Sequence, residues 1–294
     1  MGERGDVGEQ DGTRDQSGTQ ERDGTQERDG AQERDGAQER DGAGERARPH
    51  HLPARTAEAP GTEALPYTVL SCCVSLDGYI GSASGGRLVL SNTADFDRVD
   101  AVRAGCDAIL VGAQTIRSDN PRLLVRSPAR RAARRARGLP ETPTKVTVTH
   151  GEELAYDAAF FTTGAAKLVY CPSGAFADAS ARYGALATVV DGGPRIRMRA
   201  LSADLFQRGV RTLLVEGGGR ILTQFLVEDI ADELHLVVAP IFVGDARARR
   251  FVGDGRFPWH PARRGRLADV QQIDDVAFLT YALSDRFDSR ARST

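Results

Sequence analysis

The chain has 294 residues, 39 Lys and Arg against 41 Asp and Glu, and 40% hydrophobic side chains, room for one large domain or two small ones. Residues 1–64 carry 16 acids and 9 arginines, a net charge of −7, which leaves the rest of the chain at +5; a body so weakly basic does not point to nucleic acid by charge alone. A run of about 18 apolar residues for a membrane span is missing, as is a signal-peptide stretch at the start, so the cytoplasm is the expected compartment; Cys72, Cys73, Cys106 and Cys171 have no CxxC spacing and suggest neither a disulfide framework nor a metal site.

The first feature in chain order is a six-residue repeat. TQERDG occurs at 19–24 and 25–30, and AQERDG at 31–36 and 37–42. The repeat has no apolar residue larger than alanine, so it has no face on which to stack. Glycine at every sixth position also opposes a helix. Residues 1–64 are therefore expected to be a disordered tail and linker, followed by a domain over 65–286 and a flexible end over 287–294.

From Tyr67 the texture changes. YTVLSCCV (67–74) reads as a buried strand, broken by the turn Leu76-Asp77-Gly78. Thr93, with Asp95 and Asp97 behind it, reads as a helix start. CDAILVG (106–112), KVTVT (145–149), KLVYC (167–171), ATVV (187–190) and TLLVE (212–216) read as further buried strands. Between the second and third of them, RSPARRAARRARG (126–138) places Arg130, Arg131, Arg134 and Arg135 on one helical face, which reads as a solvated surface helix. A helix through Ile221, Leu222, Phe225 and Leu226 follows, and ELHLVVAP (233–240) and VAFLTYAL (276–283) close the series. Strands alternating with helices predict an α/β domain with a mostly parallel sheet covered on both faces. The last two strands have little helix between them, which predicts an antiparallel edge. Ligands are then expected at the carboxyl rim of the strands.

Two stretches at that rim could carry chemistry. EGGGR (216–220) ends a strand and opens a helix. Its glycines admit a ligand close to the backbone, and the free N–H groups of a helix start suit a phosphate. It is neither GxGxxG nor a P-loop, and a tight packing turn is the bland alternative. Glu216, an acid at the end of a buried strand, calls for a donor from ligand or backbone. VGAQTIRSDNPRLLVR (111–126) offers Thr115, Asp119, Arg122 and Arg126. Arg103, near the end of its helix, either answers the helix dipole or joins Arg126 in holding a phosphate. His235 reads as a residue facing a neighbouring strand.

SLDG (75–78), VRAGCDAILVGAQTIRSDNP (102–121), LLVR (123–126) and LLVEGGG (213–219) occur in the order and approximate spacing of the reductase domain of riboflavin biosynthesis. The resemblance covers roughly residues 67–283. It implies a three-layer dihydrofolate-reductase-like fold, NADPH as cofactor, a homodimer, and a phosphoribosylamino-pyrimidine reduced to its ribitylamino product. Matched by position, it assigns Cys73, Thr115, Asp119, Thr149, His150, Gly217, Gly218, Gly219, Arg220 and Ile221 to NADPH. Asn92, Arg103, Leu123, Arg126 and Glu216 fall at substrate positions. Glu216 and Asp77 are the candidate catalytic residues, although Leu76-Asp77-Gly78 reads better as a turn. Two departures stand out. RLVLSN (87–92) replaces a Ser-x-Trp contact, with Arg87 and Val89 at the matching places, and no HxE…PCxxC deaminase pattern precedes the domain. They keep open a pterin or another heterocycle as substrate. Nucleic-acid binding through the arginine stretch and a catalytically silent scaffold are the rivals from other classes.

Overall fold

The computed structural model describes residues 64–83, 88–164 and 166–291. The repeat tail and Arg87 lie outside the described residues. Nine strands form one sheet: β1 (Tyr67–Ser75), β2 (Ala108–Gly112), β3 (Thr144–Val148), β4 (Lys167–Cys171), β5 (Thr188–Asp191), β6 (Thr212–Val215), β7 (Glu233–Ala239), β8 (Arg266–Ile273) and β9 (Val276–Ala282). Their order is β5-β4-β3-β2-β6-β1-β7-β9-β8. The seven strands from β5 to β7 run parallel, and β9 and β8 add an antiparallel edge. This is the expected arrangement with one strand more than the sequence reading allowed. β8, RLADVQQI, was missed because an edge strand wetted on most of its length shows no apolar run.

The helices are α1 (Thr93–Gly105), α2 (Ala113–Asp119), α3 (Pro128–Ala136), α4 (Ala159–Thr162), α5 (Phe176–Tyr183), α6 (Met198–Gln207), α7 (Gly219–Val227) and α8 (Arg286–Ala291). None is long and apolar enough to cross a membrane. They cover both faces of the sheet, as continuous apolar strands require. On one face, Leu70, Leu110, Leu213 and Val215 pack against Met198, Leu201 and Leu205 of α6 and Leu222 and Phe225 of α7. On the other, Val69, Ile109 and Leu214 pack against Val102 of α1, Ile116 of α2, Phe160 of α4 and Tyr183 of α5. Alternation along each strand thus decides which residues face which helices.

Helix α1 starts on Thr93 as expected and is capped by Asn92, whose Oδ1 accepts the Asp95 N–H at 2.9 Å. The arginine helix α3 lies on the surface as expected, with Arg135 exposed, but two of its arginines turn inward. Arg134 is 2% exposed and donates to the carbonyls of Pro140, Ala104 and Cys106 at 2.7, 2.9 and 2.6 Å. Arg130 grips Asp97 at 2.6 and 2.7 Å and Asp100 at 3.0 Å. The charged stripe faces α1 because that helix offers acids and unpaired C-terminal carbonyls. Arg130 and Arg134 are thus engaged within the fold and are not free to meet nucleic acid. Replacing Arg134 by Met keeps the apolar stem and removes three bonds to buried carbonyls. Urea unfolding should show a loss of about 2–4 kcal/mol; an unchanged midpoint would make Arg134 dispensable.

Candidate active site

β6 ends on Val215, and the alternation that sends Leu214 toward α1 sends Glu216 the same way. There it meets Arg103. Nε and Nη2 of Arg103 donate to Oε1 and Oε2 of Glu216, each at 2.6 Å, and Nη1 donates to the Leu124 carbonyl at 3.3 Å. The pair is half-buried, with the side chains 18% and 13% exposed. Burial alone would lower the Arg103 pKa, but the Glu216 charge outweighs it and raises the value above the ordinary one. Every nitrogen of Arg103 is therefore engaged, and its first partner is a protein carboxylate. In this structure Arg103 orients Glu216.

The α1 face of β1 runs Tyr67, Val69, Ser71, Cys73. Leu70 pairs with Val215, so Ser71 lies beside Glu216, and on its other side Ser71 pairs with His235 of β7. Ser71 is half-buried, and among the described residues no hydrogen bond of its hydroxyl is found. The sequence reading passed over it. A serine inside an apolar run carries no spacing signal; only the register across three strands places it next to Glu216.

Beside this floor is the glycine turn. Gly217 has φ +111° and Gly218 φ +38°, conformations that favour glycine. A Cβ on Gly217 would meet nothing within 4 Å, and one on Gly218 only Thr115 Oγ1 at 3.2 Å. The turn thus has open space beside Gly217 and Gly218, next to the α7 start, where a helix leaves N–H groups without intrahelical partners. Thr115 and Asp119 lie one turn apart on α2 and share a face. Arg220 is exposed, whereas Ile221 is buried against Gly112, so only its backbone can serve a ligand. At the end of β3 Thr149 is buried and its Oγ1 donates to the Glu152 carbonyl at 3.0 Å, while His150 is exposed. An open glycine turn, a helix N-terminus and a threonine hydroxyl suit a pyrophosphate-bearing dinucleotide.

Four other expected site residues are placed differently. Asp77 accepts from Ser75 Oγ at 2.5 Å, from Val243 N at 3.1 Å and from Gly244 N at 2.8 Å. The Ser75 hydroxyl first, and the two loop N–H groups after it, hold its pKa down to about 2. Through these bonds Asp77 clasps the 243–244 loop to the turn that follows β1, in keeping with the turn reading of Leu76-Asp77-Gly78. Its contribution is present above the ordinary carboxylate value and fades as pH falls toward 2. Asp77→Asn should leave kcat at neutral pH within about twofold, and a collapse of kcat would return Asp77 to the chemistry. Asn92 is engaged at both ends: beyond the cap, Nδ2 donates to the Ile273 carbonyl at 2.9 Å and to Asp275 Oδ1 at 2.8 Å. Leu123 has φ +51° and a side chain buried in the core, so only its backbone can meet a ligand. Cys73 donates to the Leu90 carbonyl at 2.9 Å, and burial, with Asp95 nearby, pushes its pKa up to about 12; it stays a thiol. The Arg126 side chain is 58% exposed; it donates to the Phe96 carbonyl at 2.6 Å and lies 3.8 Å from Asp100 Oδ1.

Residues 66–279 match the model of the RibD C-terminal domain. The chain belongs to the RibD C-terminal domain family. Among the relatives of this RibD-type domain is the 2,5-diamino-6-ribosylamino-4(3H)-pyrimidinone 5′-phosphate reductase of Archaeoglobus fulgidus, 34% identical over 180 residues, 61% of this chain and 82% of that one. The enzyme of the same name from Methanothermobacter thermautotrophicus is 30% identical over 193 residues, 65% and 85% of the two chains. Among solved structures, a pyrimidine reductase-like protein from Corynebacterium diphtheriae superposes with a TM-score of 0.66 at 20% identity, covering 74% of this chain and 91% of that one. That likeness establishes the fold, the dihydrofolate-reductase-like arrangement of RibD reductase domains.

Proposed function

We propose that the protein reduces 2,5-diamino-6-ribosylamino-4(3H)-pyrimidinone 5′-phosphate, or 5-amino-6-(5-phosphoribosylamino)uracil, to the ribitylamino product of riboflavin biosynthesis, with NADPH as reductant. The observation that carries this reading is the Arg103–Glu216 pair beside an open glycine turn, in a chain whose relatives bear the name of that reductase.

The ring-opened ribosylamino group presents a C=N carbon, and NADPH supplies the hydride that this carbon accepts. The protein's part is to bind, orient and manage the proton at nitrogen. Thr115, Asp119, the N–H groups of Gly217, Gly218, Gly219 and Arg220, and the rim at Thr149 and His150 would hold the dinucleotide. Glu216, fixed by Nε and Nη2 of Arg103, would offer its carboxylate oxygens to the substrate's amino or hydroxyl groups. The Ser71 hydroxyl beside it is placed to donate to the nitrogen that gains the proton. Exposed Arg126 would meet the substrate phosphate. A homodimer belongs to the proposal, supported by the exposed Leu267 and Val270 on the open edge strand β8; light scattering should give the mass of two chains, and a monomer at micromolar concentration would remove that part.

The deciding experiment mixes purified protein, NADPH and the phosphoribosylamino-pyrimidine and follows the loss of reduced-nicotinamide absorbance, with a pterin as parallel substrate. Turnover of the pyrimidine is expected. Tight NADPH binding with turnover of the pterin alone would overturn the substrate, in keeping with the departure at 87–92.

A further inference from the structure

A chain of polar groups lies under α1 that no step above uses. It begins at Ser91, whose hydroxyl donates to Asp95 Oδ2 at 2.5 Å. Arg98 Nε donates to Asp95 Oδ1 at 2.7 Å, and Arg98 Nη1 lies 3.5 Å from His235 Nδ1. His235 Nε2 lies 2.6 Å from Glu233 Oε1, which places its ring on the α1 face of β7. The imidazole thus stands between the Arg98 guanidinium and the Glu233 carboxylate. The Arg98 guanidinium also stacks 4.0 Å above the centre of the Phe278 ring on β9. Arg98 is thus fastened to α1, β7 and β9 at once.

Apolar side chains would hold α1 on the sheet equally well, and a buried ionic chain is a poor source of net stability. What such a chain adds is a single fixed arrangement. The part it fixes is the strap formed by residues 88–92. Leu90 accepts from Cys73 Sγ, and Cys73 is the next residue after Ser71 on the same face of β1. The strap is therefore tied to β1 two residues beyond Ser71. Two of its side chains join it to Asp95: the Ser91 hydroxyl bonds the carboxylate, and Asn92 Oδ1 accepts the backbone N–H.

We infer that Arg98 is a positioning residue that, through Asp95 and Ser91, fixes the 88–92 strap as a wall of the pyrimidine side of the site, while the dinucleotide side at the glycine turn is independent of it. The inference rests on the reductase reading for the identity of the ligand.

Two variants test it in the full chain. Arg98→Met removes the bonds to both Asp95 and His235; Ser91→Ala removes one hydroxyl from the strap and spares the packing of α1, so it decides the matter should Arg98→Met fail to fold. The expected result is a rise in KM for the pyrimidine of about tenfold in Arg98→Met and about threefold in Ser91→Ala, with kcat changed less than about threefold and the NADPH Kd within about twofold. Ser91→Thr, which restores a hydroxyl, should return KM to the parent value. Amide hydrogen exchange of the free protein should speed up across 88–92 and stay unchanged at 217–220. A general loss of packing would instead weaken NADPH and pyrimidine together. An unaltered pyrimidine KM with unaltered exchange at 88–92, or equal weakening of both ligands, overturns the inference. Failure of the parent protein to turn over the pyrimidine overturns the reductase reading instead, and the exchange rates then still decide whether Arg98 holds the strap.

Discussion

Glu216→Gln should lower kcat/KM for the pyrimidine at least about 100-fold, on the order of 3 kcal/mol of transition-state stabilisation, while NADPH affinity changes by less than about twofold. The substitution keeps shape and one acceptor oxygen and removes the charge. Arg103 then faces an uncharged amide with one acceptor in place of two, and one of its two bonds is lost or turned into a repulsive contact with the amide NH2. Because both side chains are partly wetted, the cost in folding is only about 1–2 kcal/mol, so the variant should purify as a folded protein. Arg103→Met should act in the same direction, since an unheld Glu216 no longer points at the substrate. The double variant should be little worse than either single one, because the two residues act as a unit. Stopped turnover with an unaltered circular dichroism spectrum and NADPH titration is the expected outcome. An unaltered kcat/KM in Glu216→Gln would remove the carboxylate from the site.

The second large effect is expected at Gly219, and its physical origin is different. A Cβ there would sit 2.5 Å from the Arg250 carbonyl oxygen and 3.3 Å from that of Phe251. These are backbone atoms, so no side chain can rotate away. Either the 250–251 segment or the first turn of α7 must shift. Gly219→Ala should therefore destabilise the protein by about 1–3 kcal/mol and weaken NADPH about tenfold or more, because the N–H groups of that turn are the ones assigned to its phosphates. Gly217→Ala is the informative contrast. Its Cβ has open space, and only the backbone at φ +111° resists it, a cost of about 1–3 kcal/mol. Isothermal titration with NADPH separates the cases. Equal affinity in Gly219→Ala and the parent would mean that the dinucleotide does not use the start of α7.

The sequence alone determined a good deal of this protein. Buried parallel strands such as AILVG and TLLV are continuous apolar runs, and those runs are visible wherever both faces of a strand are covered. The strand-glycine-helix order around Glu216 marked the rim of the site, because only glycine supports the positive φ angles found there. The order of the motifs named the family. Edge strand β8 escaped notice, since water on most of its length removes the pattern. The arginine stripe of α3 was read outward for a related reason: a charged helical face looks the same whether it meets solvent or the acids and carbonyls of α1. Tertiary structure alone decided which polar groups meet. It joined Arg103 to Glu216 across 113 residues of chain, set Ser71 beside them by strand register, and withdrew Asp77 and Asn92 into loop and cap bonds. Spacing along a chain reports the face a side chain occupies; the partner on that face comes from another element, and its identity is settled only when the two pack.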